Sequence, residues 1–239
     1  MNTVDFHPVD IIKLILLIAY VIIILAIQDI SPAVQDALII GTHVFALTSV
    51  YVLFETLWLA LTILIGVVFS ILAHLAYMED WDIARFEPFD IAFANLTLML
   101  IIIIVVFKEI PLWTLPLVIT ITVANTVFYD ISAVYIVSSG FVNLGFAIYV
   151  FYRLCKSSEE RDNRFMVIAL LLGITGSVFF ITDGNYGDKD YGKFHSIWHV
   201  CSYSAIYFAA RSIVSTETNL RKQRLQFGEG IQYTKLAYH

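Results

Sequence analysis

Charge is scarce in this chain. Only 14% of its 239 residues are Asp, Glu, Lys or Arg, while 59% are hydrophobic. The strict alternation of a strand that faces water on one side is also missing. The first shortage argues against a water-soluble domain, which must dress its surface in charge. The second argues against a transmembrane β-barrel, whose strands alternate outward and inward residues. Cysteine is limited to Cys155 and Cys201, one at the edge of an apolar run and one inside another, so a disulfide framework is not expected. Cys155, beside Arg153 and Leu154, is a candidate for palmitoylation or an inert thiol.

What remains is apolar sequence in segments of membrane length. The mean hydropathy is +0.82, and a spanning helix takes about 17–25 apolar residues. Eight runs qualify: Ile11–Ile27, Ala37–Phe54, Leu57–Met78, Phe89–Phe107, Leu112–Phe128, Ala133–Tyr152, Phe165–Ile181 and His195–Val214. The expected fold class is all-α, a multi-pass transmembrane helical bundle. Only Glu55 and Thr56 interrupt the stretch from Ala37 to Met78, so the chain must turn near Glu55 or lay one half along the interface. Ile11–Ile27 lacks a basic leader and a small-residue cleavage site, and reads as an anchor helix rather than a signal peptide. The expected organisation is an N-terminal segment with an anchor over 1–36, a core over 37–214 and a cytosolic tail over 215–239.

The formal net charge of −6 hides a segregation by side. With eight alternating spans, eleven of the 14 Lys and Arg residues fall on one side, including Lys108, Arg164, Arg211 and the Arg221–Arg224 cluster. Arg85, Lys189 and Lys193 fall on the other, together with most of the acidic residues. Basic flanks stay in the cytosol, which puts the C-terminus inside. The protein is expected in the plasma membrane or an endomembrane of the ER or Golgi. Membrane lipid is the expected partner, nucleic acid is not, and a homo-oligomer is compatible with the sequence.

Against this background, buried polar groups stand out. His195 and His199 are four residues apart on one run, and Ser70 and His74 are four apart on another. Positions i and i+4 share a helix face. Asp90 opens the run after His74. The alternating topology brings Ser70, His74, Asp90, His195 and His199 to the outer end of the bundle, although they come from three distant segments. Polar groups are expensive in a bilayer and usually mark a site. A zinc ion held by His74, His195 and His199, with one position open to water, fits these residue types. Asp90 then serves as general base or orients the water or a histidine, and Ser70 donates to a developing oxyanion.

Other polar residues have plainer readings. His43, in mid-run, reads as a packing or hydrogen-bonded histidine. Trp58, Trp81 and Trp113 read as interface anchors, and Gly173 with Ser177 as a close-packing surface. The segment Asp183–Asp190 lacks calcium-loop spacing and reads as a solvated outer loop. Asn95 heads a glycosylation sequon within a span.

The pattern of Ser70, His74, Asp90, His195 and His199 resembles the CREST superfamily of membrane zinc hydrolases, which includes alkaline ceramidases and the progestin and adipoQ receptors. Asp183-Gly184-Asn185-Tyr186, followed by Phe194-His195-Ser196-Ile197-Trp198-His199-Val200, is most similar to the transmembrane protein 8 and myomaker branch. The likeness runs from about Leu57 to Val214 and takes in the Phe128-Tyr129-Asp130 turn. It implies a seven-helix core with an extra N-terminal helix. It also implies zinc on His74, His195 and His199, and Asp90 and Ser70 as catalytic residues. Three functions follow as expectations: hydrolysis of lipid amide or ester bonds from the extracellular or lumenal side, myomaker-like promotion of cell–cell membrane fusion with a structural zinc, or an adipoQ-receptor-like role.

Overall fold

The computed structural model describes residues 7–27, 29–53, 57–79, 81–82, 85–107, 110–128, 132–156, 163–182 and 188–212. The proposed turn at Glu55, the basic cluster Arg221–Arg224 and the tail over 215–239 lie outside them, as does most of the loop from Asp183. The described residues form an all-α bundle without strands. The helices are α1 (Pro8–Ala26), α2 (Pro32–Thr42), α3 (Val44–Val52), α4 (Leu57–Met78), α5 (Glu87–Phe107), α6 (Leu115–Val127, led by a 3-10 turn over Leu112–Thr114), α7 (Ser132–Lys156), α8 (Asn163–Thr182) and α9 (residues 191–212).

Five stretches are long and apolar enough to cross a membrane: Pro8–Ala26, Pro32–Val52, Leu57–Met78, Glu87–Phe107 and Asn163–Thr182. Leu112–Val127 and Asn143–Tyr152 are shorter apolar helices. Residues 191–212 are not among the five, because the run expected there carries histidines, serines and an arginine turned into the bundle. The stretch between Ala37 and Met78 is divided as its length demands, with α3 ending at Val52 and α4 beginning at Leu57.

Helix α1 shows what solvent the bundle is built for. Its buried positions are Asp10, Lys13, Leu17 and Ile24, while Ile15 is 60% and Ile22 61% exposed. Water would reverse that preference, since apolar side chains are normally the ones withdrawn. Charges inside and isoleucines outside suit a hydrocarbon surround. The helix starts cleanly: Pro8 stands in its first turn, where a missing N–H costs nothing. The Asp10 carboxylate accepts the His7 amide at 2.9 Å.

The lower half of the bundle is a continuous apolar core. Leu59 and Ile63 of α4, Ile101 and Val105 of α5, Phe165 of α8 and Phe208 of α9 meet in it. Helices α4 and α5 pack most closely, and a Cβ at Gly66 would stand 3.3 Å from the Phe93 Cβ. A small residue lets the two backbones approach, which is how membrane helices gain packing energy without a hydrophobic drive. At Gly173, by contrast, the nearest atom is 4.0 Å away, and Gly176 makes the tight approach to α9.

Helix α9 is the central rod. Asp10 of α1 reaches its C-terminal end: Arg211 donates to both Asp10 carboxylate oxygens at 3.0 Å, and the Tyr207 hydroxyl donates to one at 2.7 Å. Ile24, near the other end of α1, packs on Ile197 and Cys201. Helices α1 and α9 therefore run antiparallel. Helices α2 and α3 run parallel to α9 along a polar seam. Gln35 meets Gly192, Thr42 meets His199, and Ser49 donates to the Tyr203 carbonyl at 3.1 Å. At the same end as Gln35 and Gly192, Lys189 Nζ lies 2.9 Å from Asp29 Oδ1. Their hydrogen bond lowers the Asp29 carboxyl and raises the Lys189 ammonium.

A candidate metal centre

Four imidazoles converge near one end of the bundle. His74 lies in the last turns of α4, four residues before its end at Met78. His195 and His199 occupy successive turns at the start of α9. His43 stands at the break between α2 and α3. All four are buried. Ring centroids are 4.6 Å apart for His43 and His199, 4.8 Å for His195 and His199, 4.9 Å for His74 and His195, 5.2 Å for His74 and His199, and 6.0 Å for His43 and His74. Imidazoles sharing one tetrahedral ion through nitrogens at ~2.0–2.1 Å have ring centres about 5 Å apart.

The nitrogens are arranged to match. His43, His74 and His199 each offer a ring nitrogen, and the three lie within 4.8 Å of one another, so they could hold a metal ion. His195, expected as a ligand, is not in that group; its Nε2 lies 3.3 Å from His74 Nε2, within hydrogen-bond reach. Two ligand nitrogens on a tetrahedral zinc are separated by about 3.3–3.4 Å. The His43 Nδ1–H donates to the Ile39 carbonyl at 3.0 Å, which leaves the lone pair on Nε2. That Nε2 is buried and has no hydrogen-bond partner. An unsatisfied polar atom in hydrocarbon costs several kcal/mol. A cation is the partner that this lone pair fits.

Thr42 assists at one remove. Its hydroxyl donates to the Ile39 carbonyl at 2.7 Å, so towards His199 Nδ1, 3.4 Å away, its oxygen accepts. This places the His199 proton on Nδ1 and its lone pair on Nε2, as a metal ligand requires. The His195 ring is stacked on Tyr191 at 4.8 Å and flanked edge-on by Trp198 at 4.8 Å, which limits its rotation.

Ser70 and Asp90 form a pair beside the cluster. Ser70 is one turn before His74 on the buried face of α4. Asp90 lies in the first turn of α5, where the helix dipole favours a carboxylate, and the Ser70 hydroxyl hydrogen-bonds to it. Both line a cavity of about 530 Å³, which His199, Trp198 and Tyr203 also line. The rest of the cavity wall is almost entirely apolar, from α4, α5, α7, α8 and α9. The structure thus brings the four expected polar groups of α4 and α9 to one end and sets Asp90 against Ser70.

His43 is the residue that sequence reasoning passed over. A lone histidine in a hydrophobic run carries no spacing signal. The only local hint is its neighbour Thr42, a second polar residue in mid-run. The chain matches no known family model, no curated protein and no solved structure.

Proposed function

We propose that this chain is an integral membrane, zinc-dependent hydrolase of lipid amide or ester bonds, working from the extracellular or lumenal side and akin to the CREST superfamily. One observation supports this most: the Ser70–Asp90 pair and His199 line the same apolar cavity, so acid–base groups, a candidate metal centre and room for an acyl chain meet in one place. Zinc bound by His74, His195 and His199 would supply Lewis acidity and a more acidic water.

The chain's own residues then have defined work. The apolar wall from α5, α7 and α8 holds the acyl chain and excludes bulk water. Asp90 accepts the proton of the water that attacks the carbonyl carbon. Once the Asp90 carboxylate has taken that proton, the Ser70 hydroxyl turns from it and donates to the carbonyl oxygen as it gains charge. As the bond to the amine or alcohol breaks, the Asp90 proton passes to the leaving nitrogen or oxygen, and the acid and the free amine or alcohol depart.

The test uses zinc-loaded protein in detergent or lipid nanodiscs with ceramides, phospholipids and GPI-anchored lipids. Cleavage of one class that is lost in Asp90→Asn supports the reading. Zinc-loaded, folded protein that cleaves none contradicts it.

A second reading draws on a different observation. Four imidazoles are enough to fill a tetrahedral centre, and a filled centre is structural. That arrangement favours a myomaker-like fusion factor whose metal fastens helices together. Expression in non-fusing cells with a content-mixing readout tests it; fusion that persists in His199→Ala would separate fusion from the metal.

A further inference from the structure

We propose that His43 is itself a ligand of the metal centre, and that it occupies the coordination position a reacting water would need. The inference rests on the metal site of the preceding reading but not on any hydrolytic activity.

Three independent features of the α2–α3 rod point to it. The first is position. The rod tightens for one residue at His43 without leaving helical geometry, its amide reaching the carbonyls of Ile40 and Gly41. This position puts an imidazole 4.6 Å from that of His199. The second is proton placement. The Nδ1–H is committed to the Ile39 carbonyl at 3.0 Å, with Ile40 O at 3.1 Å, and the opposite nitrogen is a buried lone pair with no partner. A histidine kept only for packing would leave that lone pair uncompensated; a ligand would not. The third is register. The same rod supplies Thr42, which orients His199, and Gln35, whose side chain accepts the Gly192 amide at 2.9 Å. Gln35 and Gly192 each stand seven residues before Thr42 and His199. The seam therefore fixes the height of His43 against α9.

The consequence is a centre of four imidazoles, from His43, His74, His195 and His199, each from a helix start, end or break. Of the four, only His199 lines the cavity beside Ser70 and Asp90. For water to bind a centre already filled by four imidazoles, one of them must withdraw.

The experiment compares cobalt(II)-substituted full-length wild type with His43→Ala and His43→Asn, each in detergent. Retained protection of the buried Cys201 thiol selects the variant that is folded. Cobalt(II) spectra are recorded with and without azide, and zinc affinity is measured by competition with a chelator. The expected result is a wild-type spectrum indifferent to azide and a folded variant whose spectrum shifts with it. Zinc affinity should fall by more than the 10–100-fold typical of losing a supporting partner. Equal azide response in wild type and variant, or an affinity loss within or below the 10–100-fold range of a supporting partner, would overturn the inference. If neither protein cleaves lipid but azide binds only the variant, the hydrolase reading falls and the His43 assignment stands.

Discussion

The Gln35 side chain accepts the Gly192 amide at 2.9 Å while donating to the Lys189 carbonyl at 3.0 Å. One side chain thereby joins the start of α2 to the entry of α9, about two helical turns from Thr42 and His199. The contact is close because Gly192 has no side chain: a Cβ there would stand 2.3 Å from the Gln35 Cβ. Gly192→Ala must push the two helices apart. We expect a loss of about 1–3 kcal/mol, the usual cost of overpacking, read as a lower thermal midpoint in detergent. Gln35→Ala in the same background should recover part of it, because it removes the atoms beyond Cβ that crowd the site.

The opposite end of α9 makes a different kind of prediction. Asp10 is fully buried and accepts from Arg211 and Tyr207, and Lys13 beside it lies 4.3 Å from the Tyr207 ring centre. Asp10→Asn leaves the Arg211 guanidinium without its anion. Breaking a buried pair from one side costs about 3–5 kcal/mol. The variant should be markedly less stable, whereas Asp10→Leu combined with Arg211→Met should lose less. Comparable instability in both would mean that the pair is valued for more than its charge balance.

The Ser70–Asp90 pair separates chemistry from metal binding. Under the proposed mechanism, Asp90→Asn should slow turnover roughly a hundred- to ten-thousandfold, the range for losing a general base, with zinc content unchanged. Ser70→Ala should slow it by less than the larger of those factors. Loss of zinc in Asp90→Asn would instead assign the carboxylate to the metal.

Acid should empty the centre. Imidazole binds a metal only when neutral, so binding releases protons and protonation competes with the ion. The sign is fixed: metal is retained at neutral and higher pH and released as the pH falls far enough to protonate the imidazoles. Dialysis at stepped pH followed by metal analysis checks this. Retention that improves towards acid would exclude imidazole ligation.

Much of this molecule was legible in its sequence, for physical reasons that differ by residue. Helix α4 was readable over its whole length, since Leu57–Met78 is an unbroken apolar run with Ser70 and His74 on one face. His195 and His199 were readable because i and i+4 share a face. The α2–α3 break was not, because nothing in Thr42-His43-Val44 is a helix breaker; the interruption is stabilised by side-chain bonds to Ile39 and by the seam with α9. The role of His43 was hidden for the same reason, its partners being far away at His74 and His199. The embedding of α1 was hidden too. Asp10 and Lys13 look like ordinary flanking charges until Arg211 and Tyr207 arrive from the far end of the chain.

The most direct test of the central claim is zinc content per chain in detergent-purified wild type beside a His74→Ala/His199→Ala double variant, both folded by circular dichroism. The account predicts about one zinc per wild-type chain, as for a single tetrahedral centre, and none in the variant. A folded wild type without zinc, even after incubation with the ion, would contradict it and leave the four histidines as hydrogen-bonded packing groups.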